Sequence, residues 1–502
     1  MELTKMLPVV VIVVVGLLDL TAGVPFRVAN YYRSHMVLQS APQRAHVWGY
    51  GQPDGIVVFS IDGHFKGSVV VEQDSRWSVL LPAMTSGGPH VLRFHSGNTT
   101  AYLSDVMFGD VWICSGQSNM YFKVQQLVNY TDVIARAQNM TGLRIFRVNT
   151  FQSNTTLQEP HIATQWHLPR NDTATQQFSA VCLLYALEVA PYINRPIGLV
   201  ETSWGGTTIE VWSSPDAIAK CHQHQLPHYP QNIRVPIEHN SLWNSMIYPL
   251  LPMTIYGALW YQGESNAGYY VDYTCQFPAM INDWREKFHL NSQLQTEKNF
   301  PFGFVQLAPN ANKTLHTGMP DLRWSQTAGY GYVPNPALPG VFMAVAMDLP
   351  DYDSPYGTIH PRDKYDVAKR LGLAGLSVAY GVSGTDYQGP FPTMFTLAGS
   401  NMTIEYDEGN DPIRVKSNLG FEVCCGHLQN YTCGYNAFQS APITGHDATS
   451  VTIDTSACHG YNHVVTAVRY AWEMSPCDFK MCAVYDRDSD LPAPCFTKHA
   501  PF

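Results

Sequence analysis

Gly109-Asp110-Val111-Trp112-Ile113-Cys114-Ser115-Gly116-Gln117-Ser118-Asn119-Met120 is the stretch that decides the fold. Val111 to Cys114 reads as a buried strand that runs into Ser-Gly-Gln-Ser-Asn and then into a helix-compatible segment. Strand, polar turn and helix in succession is the repeating unit of parallel α/β sheets. In such sheets chemistry gathers at the carboxyl ends of strands. Ser118 falls at that end, near a helix N-terminus whose backbone N–H groups can stabilise an oxyanion, although a serine there is also an ordinary helix cap.

The same alternation continues downstream. Leu143 to Val148, Ile197 to Glu201, Thr254 to Tyr261, Phe302 to Leu307 and Val341 to Met347 are strand candidates, separated by helix-like stretches such as Ala180 to Ala190 and Asp363 to Tyr380. The expectation is an α/β fold, with a mostly parallel sheet flanked by helices over residues 105–381. Upstream, residues 24–104 read as a small β-sandwich with strands at Ala45 to Trp48, Ile56 to Ile61, Val69 to Glu72, Trp77 to Leu81 and Val91 to Phe94, and Asp62-Gly63 is a hairpin signal. Residues 382–502 return to a β pattern in Met402 to Tyr406, Val451 to Ile453 and Val464 to Tyr470. They also hold Cys424, Cys425, Cys433, Cys458, Cys477, Cys482 and Cys495, as a disulfide-stapled module would. The chain has 11 cysteines, so at least one thiol stays unpaired. Adjacent Cys424 and Cys425 are expected to bond to other cysteines, because neighbouring positions strain the bridge.

Residues 1–23 have the form of a cleavable secretory signal: Lys5, an apolar stretch from Leu7 to Leu18, then Thr21, Ala22 and Gly23. That stretch is too short for a comfortable membrane span and no later run of about 18 apolar residues occurs, so a mature chain starting near Val24 and traversing the secretory pathway is expected. Asn-X-Ser/Thr sequons at Asn98, Asn129, Asn139, Asn154, Asn171, Asn312, Asn401 and Asn430 fit that route as glycosylation sites. Only 14% of residues are charged, and glycans would supply the hydration that sparse charge does not. The net charge of −10, with no basic run, argues against nucleic acid and anionic membranes as partners.

Two further features bear on chemistry. Gly263-Glu264-Ser265-Asn266 follows the strand ending in Trp260-Tyr261-Gln262, so Ser265 competes with Ser118 as nucleophile on spacing alone. Neither serine sits in the Gly-X-Ser-X-Gly elbow of ordinary α/β-hydrolases. His360 follows the last strand candidate and a polar loop, with Pro361 suited to the first turn of a helix starting there, and is the best-placed general base. A third cluster, Cys221, His222, His224 and His228, matches no common zinc spacing, and no metal site is expected.

Gly-Gln-Ser-Asn-Met at 116–120, Trp-Gly-Gly-Thr at 204–207, Trp-Tyr-Gln-Gly-Glu-Ser-Asn at 260–266 and Ile-His-Pro-Arg-Asp-Lys at 359–364 occur in this order in sialate O-acetylesterases, which the chain resembles over nearly its whole mature length. That family belongs to the carbohydrate-esterase branch of the SGNH hydrolases. The resemblance implies a cofactor-free serine esterase, lysosomal or secreted, acting on O-acetylated sialic acids and sialoglycoconjugates, with 9-O-acetyl groups favoured and 4-O-acetyl groups possible. Ser118 would be the nucleophile and His360 the base. The backbone N–H of Ser118, one at Gly205 or Gly206, and a side-chain amide of Gln262 or Asn266 would form the oxyanion hole. The third residue before the catalytic histidine is commonly Asp in the superfamily and is Gly357 here, so Asp353 is the expected ring orienter, ahead of Asp348, Asp351 and Glu264 or backbone support alone. Arg362, Trp204 and Glu264 are candidate substrate contacts, Arg362 for the sialic carboxylate, and Trp260 and Tyr261 are candidate pocket walls. Two rival readings share these residues: an acetylesterase for other acetylated sugars, and a secreted glycan-binding protein without turnover.

Overall fold

Gly109 to Gly116 of the quoted stretch end one 18-residue strand, Thr99–Gly116 (β1), wholly buried from Met107 onward. The computed structural model describes residues 24–221, 235–311, 318–427, 433–434, 437–458 and 463–502. The expected signal sequence, His222, His224, His228, Asn312 and Asn430 lie outside the described residues.

β1 is the centre of the α/β sheet. Around it run Leu143–Val148 (β2), Ile162–His167 (β3), Ile197–Ser203 (β4), Gly257–Tyr261 (β5), Phe302–Gln306 (β6) and Val341–Val345 (β7), in the spatial order β3-β2-β4-β1-β5-β6-β7. All neighbours are parallel except β3, which pairs antiparallel with β2 at the edge. β4, β5 and β6 are buried at every residue, as strands covered on both faces must be, which is why their sequences read as apolar runs and not as alternations. β3 escaped the sequence reading: Ile-Ala-Thr-Gln-Trp-His is polar and half exposed, as an edge strand is.

Four helices matter for the site: Ser118–Tyr121 (α1), Ala180–Ile193 (α2), Tyr270–Asn291 (α3) and Tyr365–Val378 (α4). α2 starts where the Ser179 hydroxyl caps the Cys182 N–H. α4 begins four residues after Pro361, not at it, because the Asp363 carboxylate accepts from the Tyr365 and Asp366 N–H groups and sets the helix start there.

The N-terminal β region is not a separate unit. Its hairpin turns at Asp62 and Gly63, both at positive φ as a primed turn requires. One of its sheets continues through β1 into the central sheet, so the boundary expected between residues 104 and 105 falls inside a single strand. The C-terminal β region forms two four-stranded sheets and a two-stranded ribbon. Buried Asp348, after β7, receives Arg370 from α4 at 2.5 and 2.9 Å and the Tyr485 hydroxyl from the C-terminal region at 2.9 Å, docking that region on the sheet edge. Five disulfides form: Cys114–Cys182, Cys221–Cys275, Cys424–Cys433, Cys425–Cys458 and Cys477–Cys482, with buried Cys495 free. Cys424 and Cys425 do take separate partners.

Candidate active site

At the carboxyl end of β1 the chain is pinned from both sides. Trp204 N–H donates to Gly116 O at 3.0 Å, and Gln117 N–H donates to Tyr261 O at 2.9 Å. The strands are so close that a Cβ on Gly116, whose φ is 136°, would sit 2.2 Å from Tyr261 O. The backbone then turns into α1, where Met120 and Tyr121 N–H close on Gln117 O at 3.0 and 2.8 Å, and Ser118 emerges half-buried as the first helical residue. The first N–H groups of a helix have no acceptor within it. Gly205 lies against this serine: a Cβ there would be 3.3 Å from Ser118 Cβ.

The turn at Trp204–Gly206 is held from below by the amides expected to face the substrate. Gln262 Nε2 donates to Thr207 O at 3.1 Å and Asn266 Oδ1 at 2.6 Å, while its Oε1 accepts from the Tyr273 hydroxyl at 3.0 Å. Asn266 Nδ2 donates to the Glu210 carboxylate at 3.3 and 3.1 Å, and its Oδ1 also accepts from Ile209 N–H. Both side chains are buried, both Gln262 Nε2 hydrogens go to protein acceptors, and the Asn266 amide is turned toward Glu210. Trp260 and Tyr261 are fully buried core residues and do not wall a pocket; Trp260 stacks edge-on to Trp212 and Trp284. Trp204 is half-buried at the rim.

His360 lies on the loop after β7, wound by three successive turns: Ser354 N–H to Asp351 O, Gly357 N–H to Ser354 O and His360 N–H to Gly357 O. Its ring does not meet Asp353. The Nδ1 atom is 2.7 Å from Tyr356 O, and a carbonyl can only accept, so Nδ1 carries the proton and Nε2 keeps the free lone pair a base needs. Burial pushes the imidazole pKa down, the Lys364 charge adds to that, and the Tyr356 bond opposes it, so the ring is neutral at neutral pH. No hydrogen bond joins it to Ser118 Oγ, a geometry often loose before substrate binds.

The four expected carboxylates are placed as follows. Asp353 is exposed. Asp351 grips Arg362 at 2.7 and 2.8 Å, which holds its carboxyl below the usual range and removes that edge of the guanidinium from service to a substrate carboxylate. Asp348 is committed to Arg370 and Tyr485. Glu264, raised in pKa by burial, accepts from Asn119 Nδ2 at 2.6 Å. None of the four carboxylates meets the ring; the group on His360 Nδ1 is a backbone carbonyl, Tyr356 O, brought there by the tight turns around Gly357.

Asn119 and Lys364 are the parts that sequence reasoning passed over, while the backbone support it left open for the ring is met by the Tyr356 carbonyl. Asn119 Nδ2 also donates to Ile359 O at 2.9 Å, tying the residue after Ser118 to the residue before His360, and Phe122 packs edge-on to Tyr356 with ring centroids 5.4 Å apart. Both Asn119 and Lys364 stand inside the quoted blocks, and their membership of those blocks was the available signal. Ser265 sits beside this assembly, its N–H 3.3 Å from Gln117 Oε1. Cys221 is bonded to Cys275 and cannot act as a thiolate ligand, and among the described residues no cluster of three metal-ligating side chains occurs. A cavity of about 470 Å³ lies between β7 and the C-terminal region, and none of the candidate residues lines it.

Known proteins give the context. The family of sialic acid-specific acetylesterases among the carbohydrate esterases matches residues 108–350, and the sialate O-acetylesterase C-terminal domain matches residues 393–500. The chain is 40% identical over 499 residues to the sialate O-acetylesterase of Homo sapiens, covering 95% of this chain and 93% of that one. With the Mus musculus sialate O-acetylesterase it shares 39% identity over 532 residues, 97% of each chain. The crystal structure of a carbohydrate acetylesterase from Xanthomonas citri superposes with a TM-score of 0.78 at 29% identity, covering 94% of this chain and 99% of that one.

Proposed function

The chain belongs to the sialate O-acetylesterase family, and from that membership we propose that it hydrolyses O-acetyl esters of sialic acids through an acyl-enzyme on Ser118. Ser118 Oγ attacks the acetyl carbonyl while His360 Nε2 takes its proton; the imidazolium then protonates the departing sugar hydroxyl, and water activated by the same ring releases acetate. Backbone N–H groups of Ser118 and Gly205 receive the oxyanion. The supporting observation is the Asn119 bridge, which joins the Ser118 turn to the His360 loop, while Tyr356 O leaves Nε2 free as base. A 9-O-acetyl group, at the end of the flexible glycerol tail, reaches such a serine with the least displacement of the sugar ring, so we place it ahead of 4-O-acetyl. In this reading residues 105–381 carry the chemistry, with 24–104 and 382–502 as flanking β parts.

Passage through the secretory pathway, to the lysosome or the exterior, fits the five disulfides and the exposed sequon residues Asn98, Asn129, Asn139, Asn154, Asn171 and Asn401. Among the described residues no helix is long and apolar enough to cross a membrane. A second reading, an acetylesterase for other sugars, is favoured by the likeness to the Xanthomonas citri enzyme. Acetate release from 9-O- and 4-O-acetylated sialic acid and from an acetylated xylose oligomer separates the readings. Ser118→Ala is expected to lower turnover by at least about 10⁴-fold with unchanged thermal unfolding. Full activity of that variant, with loss in Ser265→Ala, would move the nucleophile.

A further inference from the structure

One residue past Ser118 lies a buried cluster that the acyl transfer does not itself consume. Lys364, with no exposed surface, donates from Nζ to Asn119 Oδ1 at 2.7 Å. Asn119 in turn donates from Nδ2 to Glu264 Oε1 at 2.6 Å and to Ile359 O at 2.9 Å. Three loops, those after β1, β5 and β7, therefore meet on one amide. The aromatic neighbours are Phe122 and Tyr261, whose ring centroids are 4.8 and 5.5 Å from Nζ.

Such an arrangement is costly as pure scaffolding. An ammonium taken out of water loses its hydration, and a well-packed apolar side chain is often as stable in its place. What an apolar side chain could not do is fix the Asn119 amide. An amide can rotate to present either end; the Lys364 donor claims Oδ1 and so aims Nδ2 at Glu264 and Ile359. That orientation is what joins the nucleophile's turn to the histidine's loop.

We propose that Lys364 is a positioning residue for the acyl transfer, holding the Ser118 turn against the His360 loop through Asn119. The inference rests on the Ser118–His360 reading above. Charged groups face Lys364 from the loops after β5 and β7: Glu264, Asp363 and Asp351 favour its protonated form, while burial is the larger influence and brings its pKa down to about 7. On the other side, Lys364 lowers the proton affinity of His360.

The test is Lys364→Met, which keeps length and removes the donor and charge. Turnover of 4-nitrophenyl acetate and of 9-O-acetylated sialic acid should fall about 10²-fold, the cost of an ångström-scale misplacement, with KM changed less than about threefold. The acid limb of kcat/KM should move to higher pH, because the charge that depressed the imidazole is gone. A packing role alone would lower thermal stability and leave turnover and the limb in place, and that result overturns the proposal. If Lys364→Met does not fold, Asn119→Asp decides: it keeps an acceptor for Lys364 but loses the donor to Ile359, so kcat should drop with KM retained, and wild-type kcat overturns the proposal. Ser118→Ala is run alongside. If it is inactive while the Lys364 and Asn119 variants turn over normally, only this inference falls; if it is active, the reading beneath falls instead.

Discussion

Gly116→Ala probes the geometry that presents Ser118. A methyl group there would lie 2.2 Å from Tyr261 O, 2.8 Å from its carbonyl carbon and 2.9 Å from its nitrogen, all backbone atoms of β5. Relief requires about 1 Å of separation between two strands that are bonded at this level. The residue must also hold φ at 136°, which a side chain tolerates poorly. Overpacking and backbone strain together cost about 2–6 kcal/mol. Because Gln117 N–H is tied to Tyr261 O at 2.9 Å, the displacement passes directly into Ser118, and misplacement by about 1 Å lowers kcat about 10²-fold. Gly63→Ala is the control. Its φ is 78° but no atom lies within 4 Å of the added methyl, so only strain of about 1 kcal/mol applies and turnover is unchanged. Urea unfolding and ester turnover of both variants make the comparison. Equal midpoints and equal kcat for the two would refute the claim that close approach of β1 and β5 positions the nucleophile.

Two other outcomes follow from the site. Asp353→Asn should leave kcat within about twofold, since His360 Nδ1 is satisfied by Tyr356 O; a loss near the 10⁴-fold seen when a true triad aspartate is replaced would restore Asp353 as orienter. Replacing Cys114 and Cys182 together with serine opens a 68-residue loop and should cost up to about 4 kcal/mol in denaturant unfolding. Turnover should fall as well, because Cys114 lies two residues before the Gly116 contact, and a stability loss without any change in kcat would show that β1 keeps its register without α2.

The strands of the central sheet were legible because burial on both faces demands local apolar runs. Leu143–Val148 is matched residue for residue, and the Ile197, Phe302 and Val341 strands begin where expected. The Asp62-Gly63 turn was legible for a similar reason: the pair tolerates positive φ. The four sequence blocks located Ser118 and His360 at strand ends, since those ends are where an α/β sheet gathers its loops. None of this required knowledge of long-range contacts.

The commitments of polar side chains were another matter. Gln262 and Asn266 sit in a block that reads as catalytic, yet each is bonded to protein partners 4 to 57 residues away, Glu210, Thr207 and Tyr273 among them. Asp353, Asp351 and Asp348 are equivalent acids in the sequence; the structure leaves the first in solvent, gives the second to Arg362 and the third to Arg370. A strand or turn is specified by its own residues and their exposure. The partner of a buried hydrogen-bonding group is chosen by which loops fold onto one another, so the ring orienter, the cysteine pairs and the Asn119 bridge were decided only by the tertiary structure.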